Sequence, residues 1–191
     1  MNQIYILEHL DAELFAWSLI EYKRISKFVG KDNLWFTNIE EKDIKKLSSY
    51  GKVFTQSVKD MNLKDTCILD PEATQTLSPE DKSRFKYIII GGILGDYPAK
   101  KRTEELITIF MPNSEKRDLG KEQLSTDNAA YVAHKILSGT PLSKIEFIDS
   151  PEIEVNEIES VILPFRYPAV KGKALMSKQI IKHLKERPGF D

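Results

Sequence analysis

Residues 87–96 read YIIIGGILGD, an apolar run typical of a buried strand that leads directly into a glycine-rich turn. Glycine carries no side chain, so such a turn at the carboxyl end of a strand lets backbone groups come close to a bound ligand. The glycines match neither the phosphate-binding pattern GxxxxGK[ST] nor the dinucleotide pattern GxGxxG. Because Ile93 and Leu94 make the turn apolar, it suits an adenine ring or a thioether better than a pyrophosphate.

A second segment rich in small and polar residues lies at residues 117–130, RDLGKEQLSTDNAA. Ser125, Thr126 or Asp127 is suited to cap the helix that follows, which has one apolar face and ends before Gly139. The segment therefore predicts a second loop that leads into a helix, in addition to the turn at residues 91–96.

Strands that alternate with helices predict an α/β protein with a mostly parallel sheet flanked by helices. The predicted strands are residues 4–7, 34–37, 67–69, 87–90 and 145–148, with extended pieces at 53–54, 153–159 and 161–164. The other predicted helices are residues 10–28, with Asp11 as N-cap, 40–49 and 174–186. Residues 103–110 fit a helix or a strand, and their β-branched end favours a strand.

In parallel sheets, ligands bind beyond the carboxyl ends of the strands. Three predicted strand ends carry acidic, turn-forming or small residues, namely Glu8-His9, Asp70-Pro71 and residues 91–96. We expect these ends to converge on one site.

The length of 191 residues predicts one domain over residues 1–191, with a C-terminal extension at about 150–191. The net charge of -1 and the pI near 6.3 give no overall attraction to nucleic acid or to anionic membranes. Nothing resembles a signal peptide or a membrane span, so a cytoplasmic location is expected. The single cysteine, Cys67, lies in an apolar run and is interpreted as a core residue.

The sequence resembles the SPOUT superfamily of methyltransferases, and more closely its subgroup that contains a fungal ribosomal-protein arginine methyltransferase and archaeal relatives. The matching pieces are residues 6–9, 19–22, 36–38, 69–73, 91–96 and 119–129. The resemblance implies a SPOUT-like fold with a trefoil knot in the C-terminal half and S-adenosyl-L-methionine (SAM) as cofactor. Periodicity alone would not predict a knot, because connections in proteins rarely thread through one another.

The same resemblance implies that three loops of the knot region form the cofactor pocket. The first loop would flank the cofactor, the second would pass beneath its methionine and ribose parts, and the third would enclose the adenine. By position, the cofactor-binding residues would be Leu69, Asp70, Pro71, Gly91, Gly92, Ile93, Leu94, Gly95, Leu119, Gly120, Gln123, Leu124, Ser125, Thr126 and Ala129. A bulky residue at Gly92 is expected to exclude the cofactor sterically.

Four acidic residues are the candidate catalytic residues, because a guanidinium group is bound best by carboxylates. Glu21 interrupts the apolar stripe of the first helix, and Glu8 ends a strand; each fits either a cleft residue or a structural ion pair. Glu105 fits a solvated helix charge or a substrate contact, and Asp96 fits a turn residue or a substrate contact.

Three functions follow from these observations. The first is an arginine methyltransferase acting on a ribosomal protein or subunit, the second a SPOUT-type RNA methyltransferase, and the third a non-catalytic binding module. Basic residues near 84–86, at 100–102 and in the last helix fit either a solvated surface or contacts with RNA. No spacing of metal ligands is present, and the sequence leaves the choice between monomer and homodimer open.

Overall fold

The computed structural model describes residues 2–95, 100–156 and 158–186. Its main sheet has six strands, all paired in parallel, in the spatial order β3-β2-β1-β5-β4-β6. The strands are β1 (Ile4–His9), β2 (Leu34–Thr37), β3 (Lys52–Val53), β4 (Thr66–Leu69), β5 (Tyr87–Gly92) and β6 (Glu115–Arg117). The prediction of a mostly parallel α/β sheet is therefore confirmed.

The central strands β1, β4 and β5 are mostly apolar because both faces of the sheet are covered. Leu7 of β1 is paired with Ile90 of β5, and both lie in the core on one face. Ile6 and its partner Ile89 lie in a separate core on the other face. The register of the strands thus brings the buried side chains of each face into one layer.

Within the described residues, five α-helices accompany the sheet: α1 (Ala16–Val29), α2 (Ile44–Leu47), α3 (Arg102–Leu106), α4 (Thr126–Leu137) and α5 (Lys178–Glu186). Helices α1 and α4 pack against each other, and the buried residues Tyr22, Ile25 and Val29 of α1 share one core with the buried apolar residues of α4. Trp17 of α1 lies in a separate cluster. An ion pair between Arg24 of α1 and Asp127 of α4 joins them at the amino-terminal end of α4.

The boundaries of three predicted helices are wrong. Helix α1 begins at Ala16 rather than near Leu10, and Asp11 does not cap it, because the carboxylate of Asp11 binds elsewhere. The helix predicted at 40–49 is a 3-10 turn followed by the short α2. The last helix begins at Lys178 rather than near Ala174, which lies in a short strand.

Of the two alternatives for residues 103–110, the structure shows the helix, α3. The β-branched end that favoured a strand forms a 3-10 turn, in which Thr108 donates a hydrogen bond to Asp70.

The C-terminal part adds two small antiparallel sheets. One contains β7 (Phe147–Asp149), β10 (Arg166–Val170) and β11 (Lys173–Ala174), and the other is a hairpin of β8 (Glu152–Glu154) and β9 (Ser160–Ile162). The strand predicted at 153–159 is thus one arm of a hairpin and its turn, because the Asn156 side chain accepts backbone hydrogen bonds from Ile158 and Glu159.

Within the described residues, no helix has the length and apolar character needed to cross a membrane. The trefoil knot and the division of the chain at about residue 150 remain predictions.

Candidate functional site

A cavity of about 320 Å³ lies at the carboxyl ends of β4, β5 and β6. Because these three strands are parallel neighbours, the loops that follow them meet at one edge of the sheet. The cavity is lined by Leu69, Asp70, Pro71 and Glu72 of the first loop, by Ile90, Gly91, Ile93 and Gly95 of the second, by Lys100, Lys101, Arg102 and Thr103 beyond it, and by Arg117, Leu119, Gly120, Lys121, Glu122, Gln123, Leu124, Thr126 and Ala129 of the third.

The structure brings most of the predicted cofactor residues to this cavity; the exceptions are Gly92, Leu94 and Ser125. Leu94 packs instead into an apolar cluster next to Phe165. Ser125 precedes α4, and its hydroxyl donates a hydrogen bond of 2.7 Å to Asp127 Oδ1. The loops that form the cavity were thus predicted from the sequence. Which side chains of these loops face the cavity depends on tertiary contacts, which the sequence pattern does not show.

Two glycines of the second loop are required by close approaches. A Cβ atom on Gly95 would lie 2.5 Å from the ring of Phe165. A Cβ atom on Gly92 would lie only 2.0 Å from the hydroxyl of Tyr22, which is hydrogen-bonded to His9 at 3.0 Å. The expectation that a bulky residue at Gly92 would fill the cofactor pocket is therefore wrong: the space beside Gly92 is occupied by Tyr22, away from the cavity.

Asp11 fastens the second loop from the side of β1. Its Oδ2 atom accepts a hydrogen bond of 2.8 Å from the backbone N–H of Leu94, and its Oδ1 atom accepts one of 3.1 Å from Arg102 Nη2. Arg102 also donates a longer hydrogen bond of 3.4 Å to the Leu94 carbonyl. Sequence reasoning missed this role, although the position of Asp11 just after β1 was a usable signal. The Asp11 side chain is 8% exposed, so the clamp is largely shielded from water.

Basic side chains line the cavity around the end of the second loop. Lys100, Lys101 and Arg102 lie there, and Lys101 forms an ion pair with Glu72. Arg117 is different, because it is buried and bound to Asp81 at 3.0 and 3.1 Å. This side of the cavity therefore carries three cationic groups, of which Lys101 is paired with Glu72 and Arg102 with Asp11.

Asp70 lines the cavity, but its carboxylate is bound within the protein. It accepts hydrogen bonds from the Glu72 backbone at 2.9 Å and from the Thr108 hydroxyl at 2.7 Å. Asp70 thereby fixes the first loop and the turn after α3 relative to each other.

Glu8 does not line the cavity. Its side chain is fully buried and accepts hydrogen bonds from the hydroxyls of Thr37 and Ser57 at 2.6 and 2.5 Å, and from the Val58 backbone at 3.0 Å. A buried carboxylate with these donors is stabilised in place. This environment favours the structural interpretation of Glu8.

Glu21 is buried between α1 and α4, where Trp17 Nε1 donates a hydrogen bond of 3.0 Å to it. Burial, and secondarily the charge of Asp127, raise the pKa of the Glu21 carboxyl well above its usual value. Hydrogen bonds from Trp17 and Thr126 and the charge of Arg24 oppose this shift. Glu21 does not line the cavity and approaches it only through Thr126, which does; a raised pKa also makes its carboxyl a weaker partner for a guanidinium group.

The other two catalytic candidates have different outcomes. Glu105 is exposed on α3 and is absent from the lining of the cavity, which favours a solvated charge. Asp96 lies outside the described residues.

A second cavity, of about 190 Å³, opens at the carboxyl ends of β1 and β2. It is lined by His9, Asp11, Ala12, Glu13, Leu14, Asn38, Ile39, Glu40 and Asp43. Four of these residues are acidic, and none of the described lining residues is Lys or Arg. Burial lowers the pKa of His9, so its imidazole does not offset this negative charge at neutral pH. Three of the four carboxylates already have a basic partner outside the lining: Asp11 has Arg102, Glu40 has Lys42 and Asp43 has Lys46. The lining is thus acidic but partly neutralised, and Asp11 connects it to the loop of the first cavity.

No group of three or more His, Cys, Asp or Glu side chains that could hold a metal ion occurs within the described part of the chain.

Comparison with known families matches residues 4–189 to the family described as Protein arginine N-methyltransferase SFM1-like. Protein arginine N-methyltransferase SFM1 of Saccharomyces cerevisiae is 36% identical in an alignment 200 residues long, which covers 95% of this chain and 94% of the yeast protein.

Solved structures give the same result. The crystal structure of yeast SFM1 complexed with SAM matches with a TM-score of 0.89 and 36% identity, covering 97% of this chain and 91% of that one. A dual specific Trm10 from Thermococcus kodakaraensis matches with a TM-score of 0.60 and 14% identity, covering 74% of this chain and 96% of that one. The similarity to Trm10 concerns the fold alone. Both matches agree with the SPOUT-like fold expected from the sequence.

Proposed function

This chain belongs to the SFM1-like family of protein arginine N-methyltransferases, and we propose that it transfers a methyl group from SAM to an arginine side chain of a ribosomal protein. The observation that carries the proposal is the arrangement of the two cavities. The larger one is built from the three loops that the family resemblance assigns to the cofactor, and the smaller, acidic one lies beside it.

The residues of the larger cavity fit SAM. Leu119, Leu124 and Ala129 offer an apolar surface for the adenine, and the bare backbone at Gly91 and Gly95 leaves room for the ribose and methionine parts. Positive charge at residues 100–102 matches the carboxylate of the cofactor. When bound, SAM supplies an electrophilic methyl group on a sulfonium centre.

The contribution of the chain itself is to position the reactants and exclude water. The loop at residues 91–95 is fixed by Asp11 and by a hydrogen bond of 3.3 Å from Thr126 to the Ile93 carbonyl. The carboxylates of the acidic cavity attract a guanidinium group to the same edge of the sheet. Cys67 has no part in this chemistry, because it is buried in the core and burial raises the pKa of its thiol to about 12.

A ribosomal protein is the substrate that the charge distribution favours. Such proteins are rich in Lys and Arg because they bind RNA phosphates, and the acidic cavity is complementary to them. A ribosomal substrate also places the enzyme in the cytoplasm. RNA as substrate is the competing possibility, favoured by the basic residues that line the larger cavity.

The test is to incubate the protein with ribosomal fractions and SAM labelled in its methyl group. We expect label that is lost on protease treatment, survives nuclease, and is recovered as methylarginine after hydrolysis. Label that nuclease removes would assign the activity to RNA, and a protein that binds no SAM in calorimetry would be a non-catalytic module.

A further inference from the structure

We infer that the β8–β9 hairpin is the docking surface for a basic segment of the protein substrate. Binding there would bring the target arginine to the larger cavity, at the ends of β4, β5 and β6. This inference rests on the proposed function and extends it to substrate recognition.

The hairpin has one buried and one exposed face. Ile153 of β8 and its cross-strand partner Val161 of β9 face inward, against the cluster that contains Trp17 and Phe165. Glu152 and Glu154 alternate with Ile153 and are exposed. Their side therefore faces solvent and remains accessible to a partner.

The exposed side of the hairpin also carries large apolar side chains. Ile162 is 62% exposed and lies opposite Glu152. Ile158, at the tip, is 94% exposed. Single exposed apolar residues are common on proteins, but two of them among glutamates on one short hairpin offer both apolar contact and charge to a partner.

Asn156 binds the residues that begin the second arm of the hairpin. Its Oδ1 atom accepts hydrogen bonds of 2.9 Å from the backbone N–H groups of Ile158 and Glu159. Its Nδ2 atom donates a third, also of 2.9 Å, to Glu159 Oε2. These bonds restrain Ile158 and Glu159, which reduces the entropic cost of binding a partner there.

The charge of the hairpin selects a basic partner. Residues 150–165 contain four glutamates and no Lys, Arg or His, whereas the whole chain is almost neutral, with 28 Lys and Arg against 29 Asp and Glu. This segment therefore attracts a protein rich in Lys and Arg and repels RNA phosphates.

The hairpin is connected directly to the cofactor loops. Phe165, three residues after β9, is the ring that a Cβ on Gly95 would strike, and Leu94 packs in the same apolar cluster. The next residue, Arg166, donates a backbone hydrogen bond of 2.8 Å to the carbonyl of Gln123, which lines the cavity. A segment bound on the hairpin is thus held beside the cavity.

The experiment measures binding without requiring turnover. A fluorescent twelve-residue peptide of alternating Arg and Leu serves as the probe, and its anisotropy is followed as protein is added. We expect the double variant Ile158→Ser/Ile162→Ser and the variant Glu154→Lys each to bind about five-fold more weakly than the wild type.

Matched controls separate this site from general surface effects. Ile109 is 60% exposed and Asp32 is exposed, and both lie outside the hairpin and both cavities. Ile109→Ser and Asp32→Lys should bind the peptide like the wild type, and all variants should keep the wild-type affinity for SAM. The inference is overturned if the hairpin variants bind the peptide as tightly as the wild type, or if the control variants lose as much affinity as the hairpin variants. It is also overturned if the wild type does not bind the peptide.

Three further outcomes are informative. If the wild type sediments as a dimer and Ile158→Ser converts it into a monomer, the hairpin contacts a second copy of the chain and the inference is wrong. If peptide binding follows the expectation but no ribosomal fraction is methylated, the docking surface is supported and the proposed function fails by itself. Conversely, if the hairpin variants methylate the ribosomal substrate with an unchanged KM, the proposed methyltransferase activity is supported and the docking surface is refuted.

Discussion

At the residue scale, the pKa of Glu21 bears on whether this residue binds the substrate guanidinium or has a structural role. A raised pKa means that the folded protein holds a proton on Glu21 that the unfolded chain releases above its ordinary pKa near 4.5. Glutamine resembles the protonated form in shape and charge. We therefore expect Glu21→Gln to keep kcat at pH 7 within about twofold of the wild type, with unchanged SAM affinity. Steady-state kinetics measure this effect. A hundredfold or greater loss of kcat in Glu21→Gln would show that Glu21 binds the guanidinium group of the substrate.

The same substitution changes how stability depends on pH. In the wild type, this group lowers the free energy of unfolding as pH rises from about 4.5 to its folded pKa, by at most about 1.4 kcal/mol per pH unit. Glutamine does not titrate, so the stability of the variant relative to the wild type should increase across that interval. Urea denaturation at pH 5, 6 and 7 measures the difference, and a constant difference would show that the Glu21 carboxyl is ionised in the folded state.

Gly92 supplies a second test at this scale. A Cβ atom there would lie 2.0 Å from the Tyr22 hydroxyl, within the pair that Tyr22 forms with buried His9. We expect Gly92→Ala to reduce the free energy of unfolding by about 1–3 kcal/mol, and Tyr22→Phe to recover part of that loss in the double variant. A Gly92→Ala protein of normal stability that fails to bind SAM would show that Gly92 faces the cofactor after all.

At the scale of elements, the loop after β5 depends on the segment after β1 for its shape. Asp11 holds both Leu94 and Arg102, the two described ends of the connection between β5 and α3. Removing the charge weakens both hydrogen bonds, so we expect Asp11→Asn to raise the Kd for SAM about three- to tenfold. Asp32→Asn, an exposed residue after α1, is the control. The Kd is measured by calorimetry. Equal SAM affinity for Asp11→Asn and the wild type would show that the hydrogen bonds of Asp11 to Leu94 and Arg102 do not support the cofactor site.

Elements with a local apolar signal could be predicted from the sequence, and elements that depend on distant partners could not. Strands β1, β4 and β5 are continuous buried runs and were predicted within a few residues. Strand β6 reads Glu-Lys-Arg and was missed, because Arg117 is buried only through its ion pair with Asp81, which is distant in sequence. Likewise, the wrong start of α1 came from reading Asp11 as a cap: its carboxylate binds the distant Leu94, and Phe15, which precedes α1, makes no side-chain cap hydrogen bond.

At the scale of the whole molecule, the parallel sheet explains why loops distant in sequence form one site. The order β1-β5-β4-β6 places the loops after the last three of these strands side by side, and the loops predicted from the sequence do line one cavity. The acidic candidates were harder to assign from the sequence. The donors that bind Glu8 come from residues 37, 57 and 58, which no local pattern connects to it.

Binding of SAM in the cavity at the ends of β4, β5 and β6 can be followed by hydrogen exchange with and without SAM. We expect slower amide exchange at residues 69–72, 91–95 and 117–126 when SAM is present, with little change at residues 38–43 beside the acidic cavity. Protection confined to residues 9–14 and 38–43, or no protection anywhere at saturating SAM, would contradict it.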